Sequence, residues 1–533
     1  MSNGDAGTSI CKRQKVALDD EQIDRISSLP DELLAHILSF LPAKDAVKTV
    51  LIRRFGNLWT SIHNLDFDVC SGGLSYQDRR VNEKRLINLI RHVLILHERS
   101  DIHRFRLKLQ LNRLKLANEI DTWIRFVMRK KVKVLDLDFD TCGYAGPEGY
   151  HKLPNVVLTS DILTELKLVY CRVEPREHIR LRSLKFLSLK DALISDKTMI
   201  EIISGCPALE SLFLCGCYGF YELDFSSCVE PREHIQFRSL KSLSLKDMLT
   251  IDKTMIELIS CCPELESLFL FECYGFDRLD FTSLNLKNVV IELNWKDSSR
   301  VEVSCPYVTT LNITGIERID LYNVSPVVDA ALEFDNHYFN CARGEYHEVK
   351  LLFEQLHDAV TLFTRSVLVF TIWELTKSSC PSMNWRRLVL KTMLTEWHFP
   401  GIASLLRNSP DLEMLELHIM PGTNPFYHRD DQWLMHFEID GGNFWDFQQS
   451  SFYCLRSHLK TIRIRSFEIE SCAVKLVHFL LRKACVLEKL VIETNRNSYP
   501  DEENLFTSET WKEFSEDIHS SPRASPQAVI LIL

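Results

Sequence analysis

The residues of this 533-residue chain with the most suggestive spacing are three acids at alternate positions, Asp136, Asp138 and Asp140. Alternating carboxylates open a calcium-binding loop, but that loop also needs glycine at its sixth position and glutamate at its twelfth. Thr141 and Pro147 stand there instead. The stretch Val134 to Phe139 reads better as a strand whose polar face carries Asp136 and Asp138. The 17 cysteines contain no C-x-x-C pair, so zinc ribbons and thioredoxin-like chemistry are unsupported. Cys206, Cys262 and Cys305 each precede a proline in leucine-rich surroundings and read as small buried hydrophobes. Neither phosphate-binding glycine loop, G-x-x-x-x-G-K-[ST] or G-x-G-x-x-G, occurs, nor does H-E-x-x-H or G-x-S-x-G. The 18 histidines show no ligand spacing. No catalytic residue, metal site or cofactor is therefore expected, and the chain reads as non-enzymatic.

The composition favours binding over chemistry. Apolar residues make up 45% and charged residues 26%, values of a soluble globular protein. A net charge of −10 is the wrong sign for gripping phosphate backbones, so no nucleic-acid partner is expected. No apolar run reaches the roughly 18 residues of a membrane span, and Met1 to Asp20 lacks the apolar core of a signal peptide. Unpaired thiols then imply a reducing compartment, nucleus or cytoplasm. Residues 1–22 read as a disordered tail, in which Lys12, Arg13 and Lys15 form a short basic cluster.

From residue 23 to 68 the pattern turns helical. Leu29-Pro30-Asp31-Glu32 is a helix start, because proline suits a first turn and acids favour the positive dipole end. Leu33, Leu34, Ile37, Leu38 and Leu41 follow as one apolar stripe, and Pro42 is expected to end it. A second stripe runs through Ala46, Val47, Val50, Leu51 and Phe55 to Leu58-Trp59. Three short helices cannot bury all this surface among themselves. Either the rest of the chain or another protein must cover it.

The segment Asp24 to Asp68 resembles the F-box of plant proteins that couple an F-box to leucine-rich repeats. The resemblance implies a surface docking on a Skp-type adaptor, and through it on cullin and RING subunits, formed by Leu29, Pro30, Leu33, Ile37, Leu38, Leu41, Val50, Phe55 and Trp59. The chain departs from that family at Ile52-Arg53-Arg54-Phe55, where Ser-Lys-Arg-Trp is usual, and at Gly56, where arginine is usual. Phe55 loses an indole N–H, and Gly56 would weaken a helix by up to about 1 kcal/mol.

After linker helices over 69–104, a signature L-x-x-L-x-L recurs from about residue 105 to 380. Candidate strands end at Leu109, Leu137, Leu168, Leu189, Leu214, Leu245, Leu270, Ile291 and Ile313, then Leu390, Leu417, Ile464 and Ile492. Up to Ile313 the intervals run from 21 to 31 residues, near the period of leucine-rich repeats. The fold class expected is thus α/β, a horseshoe solenoid preceded by a small all-α three-helix F-box. Asp196 to Ile203 has helical spacing and ends near Gly205, as a return leg should. Glu174 to Phe225 reappears as Glu230 to Phe281, an offset of 56 with about three quarters of positions identical, so two repeats have been duplicated together. Between the last two leucines one residue points out of the sheet; Phe213 and Phe269, with Phe271 beside them, form the expected substrate-binding patch.

Residues 381–495 resemble the FBD domain of the same family, on Asn384-Trp385-Arg386-Arg387-Leu388, Phe399-Pro400-Gly401-Ile402 and Ala484 to Leu490. Phe334 to Ser379 and Gly422 to Tyr453 lose the period and read as irregular insertions, and 496–533 as a C-terminal tail. The function implied is the substrate-recognition subunit of a Skp–cullin–F-box ubiquitin ligase, contributing position and no catalytic group. The rival is an adaptor-independent repeat scaffold with a degenerate F-box. A ligand-holding enzyme finds no support, since no basic cluster on consecutive strands is apparent for an anionic cofactor.

Overall fold

Seventeen short strands, from Asn64–Asp68 to Val529–Ile532, stack in chain order into one continuous parallel sheet. This computed structural model describes residues 26, 28–68, 76–99, 101–109, 116–139, 149–219, 236–249, 251–275, 278–293, 300–314, 318–324, 327–333, 352–364, 374, 382–420, 443–448, 452–469, 471–494 and 508–533. The signature leucines explain the stack. Leu212, Leu243 and Leu268 stand in register on neighbouring strands, as do Leu214, Leu245 and Leu270, and all six are buried. Burying each stabilises the array by about 2 kcal/mol. A one-residue slip would turn every leucine outward, so the alternation fixes the register.

Each repeat enters and leaves its strand by a recurring device. Before the strand, Cys206, Cys262 and Cys305 accept backbone hydrogen bonds from Leu209, Leu265 and Val308 at 3.1, 3.2 and 3.3 Å, while their thiols are buried. That burial pushes the Cys206 thiol up to about 12 and Cys305 to about 11, so both are held as inert thiols. After the strand, the chain turns through left-handed residues at Tyr170, Asp191, Gly216, Asp247 and Glu272 on five successive repeats. Return legs include the helices Asp196–Gly205 and Asp252–Ser260, equivalent members of the duplicated pair. Ser195 caps the first by accepting from the Thr198 N–H. Gly205 closes it, where an added Cβ would lie 2.4 Å from the Ile179 carbonyl oxygen.

The array is longer than the leucine pattern suggests. Its first strand, Asn64–Asp68, lies within the segment expected to be F-box, and α3 (Tyr76–Leu96), expected as a linker, is that repeat's return leg. The next strand is Arg104–Lys108, with Leu107 rather than Leu109 in register with Leu137. Strands Asp329–Glu333 and Thr361–Thr364 were hidden by short or mixed side chains, the latter inside an expected insertion. The FBD-like region supplies four more strands of the same sheet, beginning with Arg387–Thr392. The expected C-terminal tail is a terminal unit, the helix Ser508–Ser520 and the strand Val529–Ile532, tied on by Ser525 Oγ donating to the Leu487 carbonyl at 2.6 Å. The tail 1–22, Asp140 and the insertion over 422–442 lie outside the described residues. Among the described residues no helix is long and apolar enough to cross a membrane, and no group of acids, histidines or cysteines is arranged to hold a metal.

Candidate functional site

The N-terminal helices divide their apolar residues between two faces. Helix α1 (Asp31–Leu38) follows Pro30, and Arg54 fastens its start by bonding Asp31 Oδ1 and the Leu29 carbonyl, both at 2.7 Å. Ser39 ends it three residues before the expected stop near Pro42. Its Oγ donates to the Ala35 carbonyl at 2.8 Å and accepts the His63 N–H at 2.9 Å. Pro42 instead starts α2 (Ala43–Lys48), which tightens into a 3-10 turn over Thr49–Leu51.

On the inner face, Leu38, Ala43, Ala46, Trp59 and Ile62 join the same buried cluster as Leu65 and Phe67 of the first repeat. On the outer face Leu33 is 49% exposed, Ile37 42% and Leu41 37%, at four-residue intervals. Phe40, Val50, Leu51 and Ile52 are exposed as well, Leu51 to 87%. The helical segment thus buries one apolar face and leaves another bare, as a surface that meets a partner does.

Of the nine residues expected to meet an adaptor, Pro30, Leu33, Ile37, Leu41 and Val50 are exposed, and Leu29 is half-buried. Leu38 and Trp59 are 2% and 6% exposed, so they have no surface to offer and belong to the core. Phe55 is half-buried against that core. Gly56 does not weaken a helix: it sits in a turn at φ +37°, a conformation glycine tolerates best. Sequence periodicity passed over Phe40 and Ile52 because they fall off the helical stripe; their signal is bulk apolar character in segments too short to bury it.

The concave sheet is the second surface. Its first strands carry opposite charges in adjacent columns: Arg106 reaches Asp66 at 3.4 Å and Asp136 at 3.7 Å, and Lys108 reaches Asp138 at 3.1 Å. The expected acidic pair is therefore neutralised by neighbouring strands. Burial nonetheless holds the Asp136 carboxyl above its ordinary value against the pull of Arg106, Lys167 and Arg104. Near the other end, buried Glu416 meets His418 at 2.9 Å, Arg387 at 3.2 Å and Arg465 at 2.8 Å. Burial alone would raise Glu416, but those partners outweigh it and hold the carboxylate below its ordinary value. Arg387 on Arg387–Thr392, and Arg463 and Arg465 on Thr461–Phe467, flank the Met414–Ile419 strand that carries Glu416, and Glu416 and Glu493 are paired with them.

Between these charged ends lie Phe213, Phe269 and Phe271, all half-buried and pointing outward as expected. The rings of Phe269 and Phe271 are parallel to within 11° at 6.3 Å. Ser244 separates Phe213 from Phe269 on the same transverse row.

An F-box-like helical unit fused to a leucine-rich-repeat solenoid defines a substrate-recognition protein of the F-box class. The F-box domain family matches residues 26–65. The repeats of the FBD-associated F-box protein At5g56370 match 120–229, and the leucine-rich-repeat domain of At1g61320/AtMIF1 matches 220–530. The chain is 27% identical over 481 residues to the putative F-box/LRR-repeat protein At3g18150 of Arabidopsis thaliana, covering 89% of this chain and 87% of that protein. F-box/LRR-repeat protein At3g03360, also from Arabidopsis thaliana, is 27% identical over 83% of this chain and 81% of its own length. The Arabidopsis thaliana F-box/FBD/LRR-repeat protein At1g13570 is 33% identical over 36% of this chain and 44% of its own. The chain belongs to the plant F-box/leucine-rich-repeat family with FBD-type relatives. Members of this family are typically non-catalytic adaptors.

Proposed function

We propose that the chain is the target-binding subunit of a Skp–cullin–F-box ubiquitin ligase. Its outer helical face docks on a Skp-type adaptor, which links it to cullin and RING subunits, and its concave sheet holds a protein target. The observation that carries this reading is the bare apolar face of Leu33, Ile37, Leu41 and Val50 in a segment matched by the F-box family. Burying such a face on a partner is driven by the same area term that builds a core. Phe213, Phe269 and Phe271 contribute to the target surface. The ten described cysteines form no disulfide with one another and all but Cys485 are buried, which suits work in a reducing compartment, nucleus or cytoplasm.

Co-purification with a recombinant Skp-type adaptor tests the reading. Leu33→Glu with Ile37→Glu should abolish the complex while leaving thermal unfolding unchanged, since both side chains already face solvent. If the doubly substituted chain still binds, this face is not the docking surface. If the unsubstituted chain forms no complex at micromolar concentration, the adaptor-independent scaffold is the better account.

A further inference from the structure

The concave row at the middle of each strand changes character along the solenoid. It carries charge on the first four strands, at Asp66, Arg106, Asp136 and Lys167. From Ser188 to Val389 it is then uncharged on nine consecutive strands, before charge returns at Glu416 and Arg463. At about 4.8 Å per strand, the neutral window is roughly 40 Å long.

Within that window the duplication has copied a shape. Ser188 and Ser244 are equivalent positions, as are Phe213 and Phe269, each pair 56 residues apart. Along the row they alternate as Ser188, Phe213, Ser244, Phe269 on four adjacent strands. A serine between bulkier neighbours is a depression. Ser244 lies between two phenylalanines, and Ser188 between Phe213 and Lys167, whose ammonium sits 5.2 Å from the Phe186 ring. The two depressions are two strands apart, about 9.6 Å.

We infer that the target enters as an uncharged extended segment lying across the strands, with two large apolar side chains three residues apart seated over Ser188 and Ser244. This rests on the reading that the concave sheet holds the target, and it names the chemistry of what is held. A polyproline-like segment rises about 3.1 Å per residue with three residues per turn, so positions i and i+3 point the same way about 9.3 Å apart. A helix laid on the same track would present a further side chain about 5.4 Å along, over the Phe213 ridge, where there is no room. Charge selects in the same direction. The acids and bases at both ends of the solenoid already have partners on the chain, and a charged residue set over Ser244, between Phe213 and Phe269, would lose hydration without gaining a counter-charge on its row. The charges nearest the depressions are Lys167, beside Ser188 on the row and seated over the Phe186 ring, and Lys190 and Lys246, one outward row away, with Lys246 paired with Glu272 at 3.6 Å.

The probe is a phage-displayed random peptide library panned on the immobilised full-length chain, followed by binding of a synthesised selected peptide to Ser244→Trp and Phe213→Ala variants. The expected result is enrichment of peptides with few charges and two large apolar residues at i and i+3. Filling the depression with Ser244→Trp should then weaken the selected peptide by about tenfold or more. Phe213→Ala removes the shared wall and should weaken it comparably. Far-ultraviolet circular dichroism and adaptor co-purification check that each variant remains folded. Charged peptides, a spacing of seven, no enrichment, or binding unchanged by both substitutions would each overturn the inference. Adaptor co-purification reads the other surface, so loss of peptide selectivity with intact adaptor binding refutes this inference alone.

Discussion

At the residue scale, two adjacent leucines in one short helix have opposite fates. Leu34 is wholly buried and Leu33 half exposed, because successive residues of a helix point about 100° apart. Substitutions should separate them cleanly. Leu38→Ala, in the shared core, should cost about 2–5 kcal/mol in chemical denaturation, whereas Ile37→Ala should change stability little. Buried His398 gives a pH signature. Burial pulls its ring from an ordinary 6.5 down to about 3, with Nδ1 paired to Thr395 Oγ1 at 2.8 Å. The folded state therefore holds the ring neutral. Its stabilising effect is complete above pH 6.5 and is lost as pH falls from 6.5 towards 3, at up to about 1.4 kcal/mol per pH unit. Denaturant titrations across that range should show the slope, and His398→Leu should remove its share of it.

At the element scale, the repeats were legible wherever leucines alternated and illegible elsewhere. Strands such as Phe186–Lys190 and Ser211–Cys215 carry their register in the sequence, since the buried residues are leucines at fixed spacing. Asn64–Asp68 is hidden because it abuts the helical segment, and Asp329–Glu333 because Ala330 and Ala331 fill one inner position and the centre. The terminal unit was missed because its strand, Val529–Ile532, stands alone at the end of a polar stretch. The faces of the helical unit were legible only in part: spacing identified an apolar stripe, but which side the first repeat would cover depends on contacts far along the chain. The terminal unit makes a strong demand on the array. Removing residues 495–533 bares the edge and the apolar face of Lys489–Thr494, so the truncated chain should aggregate where the full chain stays monodisperse in size-exclusion chromatography. Gly205 makes another. Gly205→Ala drives a Cβ against the Ile179 carbonyl and should cost about 1–3 kcal/mol in thermal or chemical denaturation.

At the scale of the whole molecule, the F-box unit and the solenoid share one hydrophobic cluster that runs from Leu38 through Ile62 and Leu65 to Ile530. Ser39 and His63 reinforce the junction, and buried His97 donates from Nε2 to the Ile62 carbonyl at 3.1 Å. The two surfaces are therefore parts of one body. A target held on the concave sheet stands at a fixed position relative to whatever the outer helical face grips, which suits a protein whose contribution is placement. Hydrogen exchange should show residues 31–62 opening together with the first repeats, and not as an independent unit.

The most direct measurement is the affinity of the full chain for a purified Skp-type adaptor, compared with the Leu33→Glu, Ile37→Glu variant of equal thermal stability. The proposed function predicts a stable complex for the first and none for the second. Equal binding by both, or by neither, would contradict it.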